Sequence, residues 1–226
     1  DVFEDQSGLG QVLNDGIFDR TELETLGEEY GIIDPGVDIK KYPVCYASHA
    51  TADAVKEIMV ADGLQARDIA SLTCTVPPVV ASNLTYHSPR TAAEAQFSLH
   101  FAIASIVLHG DITLKHLTTK VLSSAPIKRL MAGIIVKVGD IPQQHRSSKS
   151  ICPEWGYVEL NTQSGSHKSC FVGSPVGSAS RPLSDKILKK KFNDCVQYKN
   201  SNSSEFTLYE KILNIELLQN AQDLFS

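Results

Sequence analysis

The sequence predicts an α+β fold, with a small domain of strands and helices over residues 37–172 and helical segments on both sides. Three observations predict it. Apolar and polar side chains alternate, as in β-strands, within residues 70–76, 134–138 and 156–172. A long apolar helical pattern lies between the first two of these stretches, and both ends of the chain carry helical patterns. We expect central strands of antiparallel type that pack against helices.

Composition and charge exclude several classes of protein. The chain has 226 residues, of which 42% are apolar and 21% charged, and a net charge of −5. This composition supports a buried core and argues against disorder over the whole length. There is no basic stripe of the kind that binds nucleic acid, and no apolar run of about 18 residues that would span a membrane. We therefore expect neither nucleic acid nor a membrane as a partner.

The short run Lys189–Lys191 is predicted to be a solvated helix face, with a phosphate-binding patch as the alternative.

The five cysteines indicate a reducing compartment. They are odd in number, far apart and never spaced as CxxC, which favours free thiols over a disulfide framework. We expect a cytoplasmic protein, or a mitochondrial one if the source is eukaryotic. Because the first residue is Asp1 and not Met, we also expect a fragment or a processed chain.

The first part of the chain carries a weak helical pattern over residues 11–30. Thr21 can cap a short helix there, and Glu22 and Glu24 suit the positive end of its dipole. The segment 31–36 is rich in turn-forming residues and ends this pattern.

An extended segment and a capped helix follow. Residues 37–47 are predicted to be extended, because Pro43 restricts the residue before it to β or polyproline geometry. Ser48 is a favourable N-cap for a helix over residues 49–62, and Gly63 ends that helix.

The clearest strand and the clearest helix come next. Residues 70–76 alternate as a strand that Pro77 ends, and residues 79–90 form a polar loop. Residues 91–94 form a capping box, and the apolar run 95–108 predicts a continuous helix that is buried on most faces.

The remaining elements follow from the same periodicities and turn signals. We predict helices over 113–122 and from Pro126 to about 131, strands over 134–138, 156–161 and 167–172, an exposed loop over 140–153, a connection over 173–182, and helices over 183–198 and 205–222 that are separated by a polar linker over 199–204.

The densest group of chemically active side chains lies around the start of the helix at residue 49: Lys40, Lys41, Tyr42, Cys45, Tyr46 and His49. Free amides at a helix N-terminus attract carboxylates, and the dipole there favours a neutral imidazole. Such a site could hold a carboxylate and move a proton next to it. The alternative is that His49 packs against the helix start while Lys40 points to water.

Other kinds of site have weaker support. Cys45 and His49 could form a Cys-x3-His pair, but a zinc site needs two more ligands and a nucleophile pair needs a third orienting group. We therefore predict no metal site. Tyr86 and His87 precede a capped helix in a loop and could face a cleft. Phosphate- and dinucleotide-binding motifs are absent, so no cofactor is predicted.

Three stretches of the chain resemble the MmgE/PrpD family. The first is similar to the signature K-x-Y-P-x-C-x-x-x-H-x-x-x-D-A, and the second to P-x-T-x-x-E-A-x-F-S. The matching residues are Ile39–Cys45, Ser48–Ala50 and Asp53–Ala54; Pro89–Thr91, Glu94–Leu99 and Gly110; and Gly173–Pro175, Arg181–Ser184 and Lys191–Phe192. The three stretches occur in the family's order and cover about residues 8–198.

The resemblance implies a domain arrangement and a chemistry. The family combines an all-helical domain with a smaller α+β lid domain, usually in homodimers. Residues 1–36 would then be the end of the helical domain, 37–172 the lid domain, and 173–226 helices that return to the helical domain. The N-terminal helical domain, with further acid and base residues, would be missing from this chain, so we expect little activity from the chain alone.

The family acts without a metal on small di- and tricarboxylates, and removes or delivers a proton at a carbon next to a carboxylate. Its members include 2-methylcitrate dehydratase, cis-aconitate decarboxylase and iminodisuccinate epimerase. The resemblance therefore implies a lyase, with a dehydratase or decarboxylase favoured. An epimerase or racemase, or a non-catalytic binding or dimerisation fragment, is the alternative.

The resemblance also suggests roles for individual residues. Lys40 matches a lysine of family active sites and His49 matches the signature histidine, so these two are the predicted catalytic residues. Cys45 stands where some decarboxylases of the family carry a histidine, and Tyr86 lies near an active-site tyrosine. The predicted substrate-binding residues are Lys41, Cys45, Tyr86 and His87.

Overall fold

The computed structural model describes residues 2, 5–17, 21, 24, 26–148, 150–199 and 205–225. The chain divides into two compact units, Asp1–Val37 and Asp38–Ser226. The first unit contains helix α1, Leu9–Asn14, which ends at Asp15 in a left-handed conformation with φ 49°. This helix is shorter than the predicted pattern of residues 11–30, and Glu22 lies outside the described residues.

Four strands of the second unit form one sheet and confirm the predicted α+β class. The strands are β1 (Ile69–Val76), β2 (Ile134–Val138), β3 (Gly156–Thr162) and β4 (His167–Val172). Their order in the sheet is β2-β1-β3-β4. The pairs β1–β3 and β3–β4 are antiparallel, as predicted. The pair β1–β2 is parallel, because the chain passes through several helices before it returns to the sheet.

Eight helices of the second unit are described. They are α2 (His49–Ala61), α3 (Pro78–Asn83), α4 (Ala92–Gln96), α5 (Leu99–His109), α6 (Thr119–Leu122), α7 (Ala125–Gly133), α8 (Asp185–Lys199) and α9 (Glu205–Leu213). Helix α2 packs on β3, β4 and α5, and α5 packs on α7. None of the helices in the described ranges combines the length and apolar character needed to cross a membrane.

Helix α5 lies at the centre of the core. Every residue from Leu99 to Val107 is buried, which confirms the burial predicted from its apolar sequence. Alternate residues of β1 are also buried, with Leu72, Cys74 and Val76 inside. Burial of these side chains is the main force that holds α2, α5 and the sheet together.

The predicted continuous helix over residues 95–108 is wrong at one point. Helix α4 ends at Gln96, and Ser98 adopts an extended conformation before α5 begins. The Ser98 hydroxyl accepts a hydrogen bond from the Phe101 amide at 3.1 Å, so Ser98 caps a new helix. The break leaves the carbonyl groups of Gln96 and Phe97 free to bond to other segments.

Three further predictions need correction. The predicted polar loop over residues 79–90 begins instead as helix α3, Pro78–Asn83, whose first residue is a proline that suits the first turn. The predicted helix over 113–122 is a 3-10 turn, Leu114–His116, followed by the short helix α6 that Thr118 caps. The predicted helix over 205–222 ends earlier, at Leu213.

The extended segment that begins at residue 38 is held by the connection after β4. The Ile39 amide donates to the Gly177 carbonyl at 2.7 Å, and the Ala179 amide donates to the Asp38 carboxylate at 2.8 Å. Gly177 has φ 105°, and a Cβ atom at this position would collide with the Ile39 carbonyl oxygen. The connection therefore holds in place the backbone that precedes Lys40.

Candidate functional site

We name Ile39–Ala54, the residues that match the first signature, the signature segment; its buried half centres on Asp53. This side chain lies on α2 and is 2% exposed. Its Oδ1 atom accepts hydrogen bonds from Lys41 Nζ at 2.7 Å and from the Tyr42 hydroxyl at 2.8 Å. Its Oδ2 atom accepts from the Val176 amide at 2.8 Å. A buried carboxylate is stable only when it is paired. The bonds of Asp53 therefore hold helix α2, the segment at Lys41–Tyr42 and the connection after β4 against one another.

Lys41 and Tyr42 take their roles from this network. The Lys41 ammonium also lies 4.7 Å from the centre of the Tyr42 ring. Burial, followed by the Asp53 charge, raises the pKa of Tyr42 above its ordinary value, so the hydroxyl stays protonated and donates to Asp53. The partner of Lys41 in this structure is thus the Asp53 carboxylate, whereas its predicted contact with a substrate stays a prediction.

His49 belongs to the buried half as well. Its imidazole is fully buried, and its ring centre lies 5.1 Å from those of both Tyr42 and Tyr46. Burial lowers the pKa of His49 to about 4, and the ammonium groups of Lys40 and Lys41 add to the shift. The neutral imidazole predicted from the helix dipole therefore results mainly from burial. Ser48 begins the helix as predicted, but its hydroxyl donates to the Cys45 carbonyl at 2.8 Å.

The buried imidazole makes folding stability depend on pH. The pKa of His49 is about 4 in the folded chain and 6.5 in the reference state, so the unfolded chain binds more protons between these values. Its contribution to stability is complete above about pH 6.5 and is lost as the pH falls toward 4, by about 3 kcal/mol. Urea unfolding of the protein and of its His49→Phe variant at about pH 7.5 and pH 4.5 measures this. We expect a flatter pH dependence in the variant; parallel curves would contradict the assignment.

The other half of the signature segment lies at the surface, beside the turn between α4 and α5. The Cys45 amide donates to the Gln96 carbonyl at 2.8 Å, and the Tyr86 amide donates to the Phe97 carbonyl at 3.3 Å. The Gln96 side-chain amide donates to the Pro43 carbonyl at 3.2 Å. Two segments that are distant in sequence are thus held next to each other by the break at Ser98.

The side chains around this turn are accessible. Tyr86 is 43% exposed and Phe97 is 46% exposed, although both are large aromatic residues. His87 is exposed and stacks on His100 with 4.7 Å between the ring centres. Burial, together with the neighbouring His87, lowers the pKa of His100, so this imidazole supports the stack as a neutral ring.

Lys40 is exposed and differs from Lys41 in its electrostatic surroundings. Within the described ranges, the Lys40 ammonium has no ion-pair partner, while Lys41 has Asp53. An uncompensated ammonium can bind a carboxylate without first breaking a salt bridge. We name the exposed residues Lys40, Tyr86 and His87, together with the half-buried Cys45 that packs against the core, the exposed polar group. The catalytic and substrate-binding roles of these residues, like that of His49, stay predictions.

Sequence reasoning missed residues that the structure shows to be important here. Asp53 was part of the signature but not a predicted site residue, although an acidic side chain among the alanines of α2 indicates a buried, paired carboxylate. Gln96 and His100 gave no signal in the sequence, because their contacts are made across the fold. Among the residues described, no three His, Cys, Asp or Glu side chains are grouped as they would be around a metal ion.

Comparison with protein families supports the predicted resemblance. A model of the MmgE/PrpD C-terminal domain matches residues 42–215, which include Asp53, the α4–α5 turn and the connection after β4. Lys40 and Lys41 lie just before the matched range. Comparison with curated proteins finds no match. Because the match covers most of the chain, the chain belongs to the MmgE/PrpD family and carries its C-terminal domain.

Proposed function

We propose that the chain is the lid part of a lyase that acts on a small di- or tricarboxylate by proton transfer at a carbon next to a carboxylate. No metal takes part in this proposal, and dehydration or decarboxylation is favoured. The observation that supports it is the exposed polar group. It comprises the exposed side chains of Lys40, Tyr86 and His87 and the half-buried thiol of Cys45, and the backbones of Cys45 and Tyr86 are both bound to the turn between α4 and α5.

The first step is substrate binding. The Lys40 ammonium binds a substrate carboxylate, and Tyr86 donates a hydrogen bond from its hydroxyl to the same or a neighbouring carboxylate. When a proton leaves the adjacent carbon, negative charge grows on the carboxylate oxygens. Hydrogen bonds and a positive charge at those oxygens stabilise the transition state more than the bound substrate.

The buried half of the signature segment supports substrate binding by holding the backbone in position. The Asp53 network fixes Lys41 and Tyr42, and thereby fixes the backbone that carries Lys40. His49 acts as a neutral group that positions this backbone through its contacts with Tyr42 and Tyr46. A direct proton relay through His49 would require the site to open, since the imidazole is fully buried.

The site needs a second half. The exposed polar group is a surface and contains no general base that is buried and poised beside the Lys40 ammonium. We propose that an N-terminal helical domain covers it and supplies the remaining acid and base groups, in a homodimer located in the cytoplasm or a mitochondrion. The chain Asp1–Ser226 alone is then expected to have little or no activity.

An assay in heavy water tests this function. The full-length protein is incubated with a panel of small di- and tricarboxylates, and products and deuterium content are measured by NMR. We expect loss of water or of carbon dioxide, with deuterium exchange next to a carboxylate. Deuterium uptake without net conversion would identify an epimerase or racemase instead. Absence of both conversion and exchange for the whole panel would contradict the proposal, and high activity of the isolated chain would contradict a divided site.

A further inference from the structure

A cavity lies beside the segment that carries Lys40 and Cys45, and the neighbouring residues Lys41 and Pro43 line it. It has a volume of about 310 Å³ and lies between α2, the segment 111–114 and α8. None of the residues of the exposed polar group lines it. Its size falls at the lower end of the range for small-molecule sites, roughly 300–1,000 Å³.

The charges that line this cavity are unequal. Four lysines line it, namely Lys41, Lys56, Lys190 and Lys191, but only two carboxylates do, those of Asp111 and Asp194. Asp53, which binds Lys41, compensates one further charge. One excess positive charge therefore remains at the cavity.

The contacts show where this excess is located. The Asp111 carboxylate accepts from Lys190 Nζ at 2.8 Å and from the Ile112 amide at 3.0 Å. Its Oδ1 atom is 3.8 Å from Lys56 Nζ, beyond hydrogen-bonding distance. Lys191 has no ion-pair partner in the part of the chain that the structure describes. Lys191 is thus unpaired among the described residues, and the half-buried Lys56 ammonium has only a long ion pair with Asp111, which is itself hydrogen-bonded to Lys190.

The electrostatic surroundings of Lys56 agree with this view. Burial lowers the pKa of Lys56 below its ordinary value, and the attraction of Asp111 opposes the shift only in part. The charges of Lys41 and Lys190 lower the pKa further. An anion placed beside Lys56 would relieve both the burial cost and this repulsion.

Most of the remaining lining of the cavity is apolar. Pro43, Ile112, Leu114 and Ile187 line it together with the carbon stems of the lysines. A small inorganic anion would leave this surface without a partner. A ligand that carries one negative charge on a short hydrocarbon chain satisfies both parts of the lining.

We propose that this cavity binds a small aliphatic monocarboxylate. Its carboxylate binds the Lys56 ammonium, with Lys191 as a second cation, and its hydrocarbon chain lies along Ile112, Leu114 and Ile187. The proposal does not require the proposed catalytic reaction, and a ligand here would contact both helix α8 and helix α2.

Calorimetric titration of the full-length protein with hexanoate tests the proposal. We expect saturable binding that Lys56→Met weakens at least about tenfold, because a charge-assisted hydrogen bond is lost while the carbon stem stays. Lys56→Arg keeps the charge and should keep most of the binding. Lys120→Met removes an exposed lysine of α6 and should bind like the parent. Hexanol, which lacks the charge, should bind weakly and independently of Lys56.

A chemical readout separates this site from the proposed active site. Cys195 lines the cavity and is exposed, whereas Cys45 belongs to the exposed polar group. Alkylation mapped by mass spectrometry should show that hexanoate slows modification of Cys195 and leaves Cys45 unchanged. Protection of Cys45 alone, hexanoate binding that is equal in the parent and in Lys56→Met, or no binding at all would each overturn the proposal. None of these results bears on turnover of di- and tricarboxylates.

Discussion

Replacing Asp53 by alanine is expected to lower the free energy of unfolding by about 3–5 kcal/mol. The substitution removes the acceptor of three hydrogen bonds, from Lys41, Tyr42 and the Val176 amide. It leaves the Lys41 ammonium, whose side chain is only 12% exposed, without its negative partner. Urea unfolding at about pH 7 measures the change.

A second aspartate near the end of the same helix provides the control. Asp62 forms an ion pair with Lys168 at 2.6 Å, but both side chains are about one-third exposed. Solvent screens such a pair, so Asp62→Ala should cost less than about 1 kcal/mol. Equal losses in the two variants would show that Asp53 does not hold the fold together.

The elements with regular periodicity were predictable from the sequence. The strands at 70–76 and 134–138 and the hairpin over 156–172 are confirmed, because alternation of side chains is a local property. Helix α2 was predicted almost to the residue, since Ser48 and Gly63 mark its ends. The parallel pairing of β1 with β2 was not predictable, because it depends on the path of the chain between them.

The break in the apolar helix shows why a strong local pattern can mislead. Residues 95–108 are apolar enough for one helix, yet Ser98 begins a new one. The carbonyls that the break releases accept bonds from Cys45 and Tyr86, which are far away in sequence. Long-range hydrogen bonds thus compensate for the lost helical turn, and no local pattern reveals them.

The sequence indicated which segment carries the candidate site, but it did not decide which of the side chains there are buried and which are exposed. The sequence placed Lys40, Lys41, Cys45 and His49 in one cluster, and it left open whether His49 packs against the helix start while Lys40 points to water, which is the arrangement in the structure. Only the fold shows that Lys41 and His49 face the core while Lys40 stays at the surface. The separation arises because Asp53, one turn along α2 from His49, needs a buried cation as its partner.

Replacing Lys40 by methionine in the full-length protein is expected to lower kcat/KM at least about a hundredfold. Methionine keeps the length and apolar stem of the side chain and removes the ammonium that would bind the substrate carboxylate. Because Lys40 is exposed and makes no ion pair within the described ranges, the free energy of unfolding should change by less than about 0.5 kcal/mol.

The neighbouring lysine should behave in the opposite way. Lys41→Met leaves the buried Asp53 carboxylate without its cation, so we expect a loss of several kcal/mol in the free energy of unfolding. The catalytic rate per folded molecule should remain much closer to that of the parent. The two substitutions are identical in chemistry and adjacent in sequence. They differ only in that Lys41→Met alters the buried half of the signature segment and Lys40→Met alters the exposed half.

The most direct measurement is therefore kcat/KM and the urea unfolding curve, determined side by side for Lys40→Met and Lys41→Met in the full-length protein. We predict an inactive but stable Lys40 variant and a destabilised Lys41 variant that is active while folded. Full activity of the Lys40 variant, or equal destabilisation of both, would contradict a signature that is divided into a structural and a substrate-facing half.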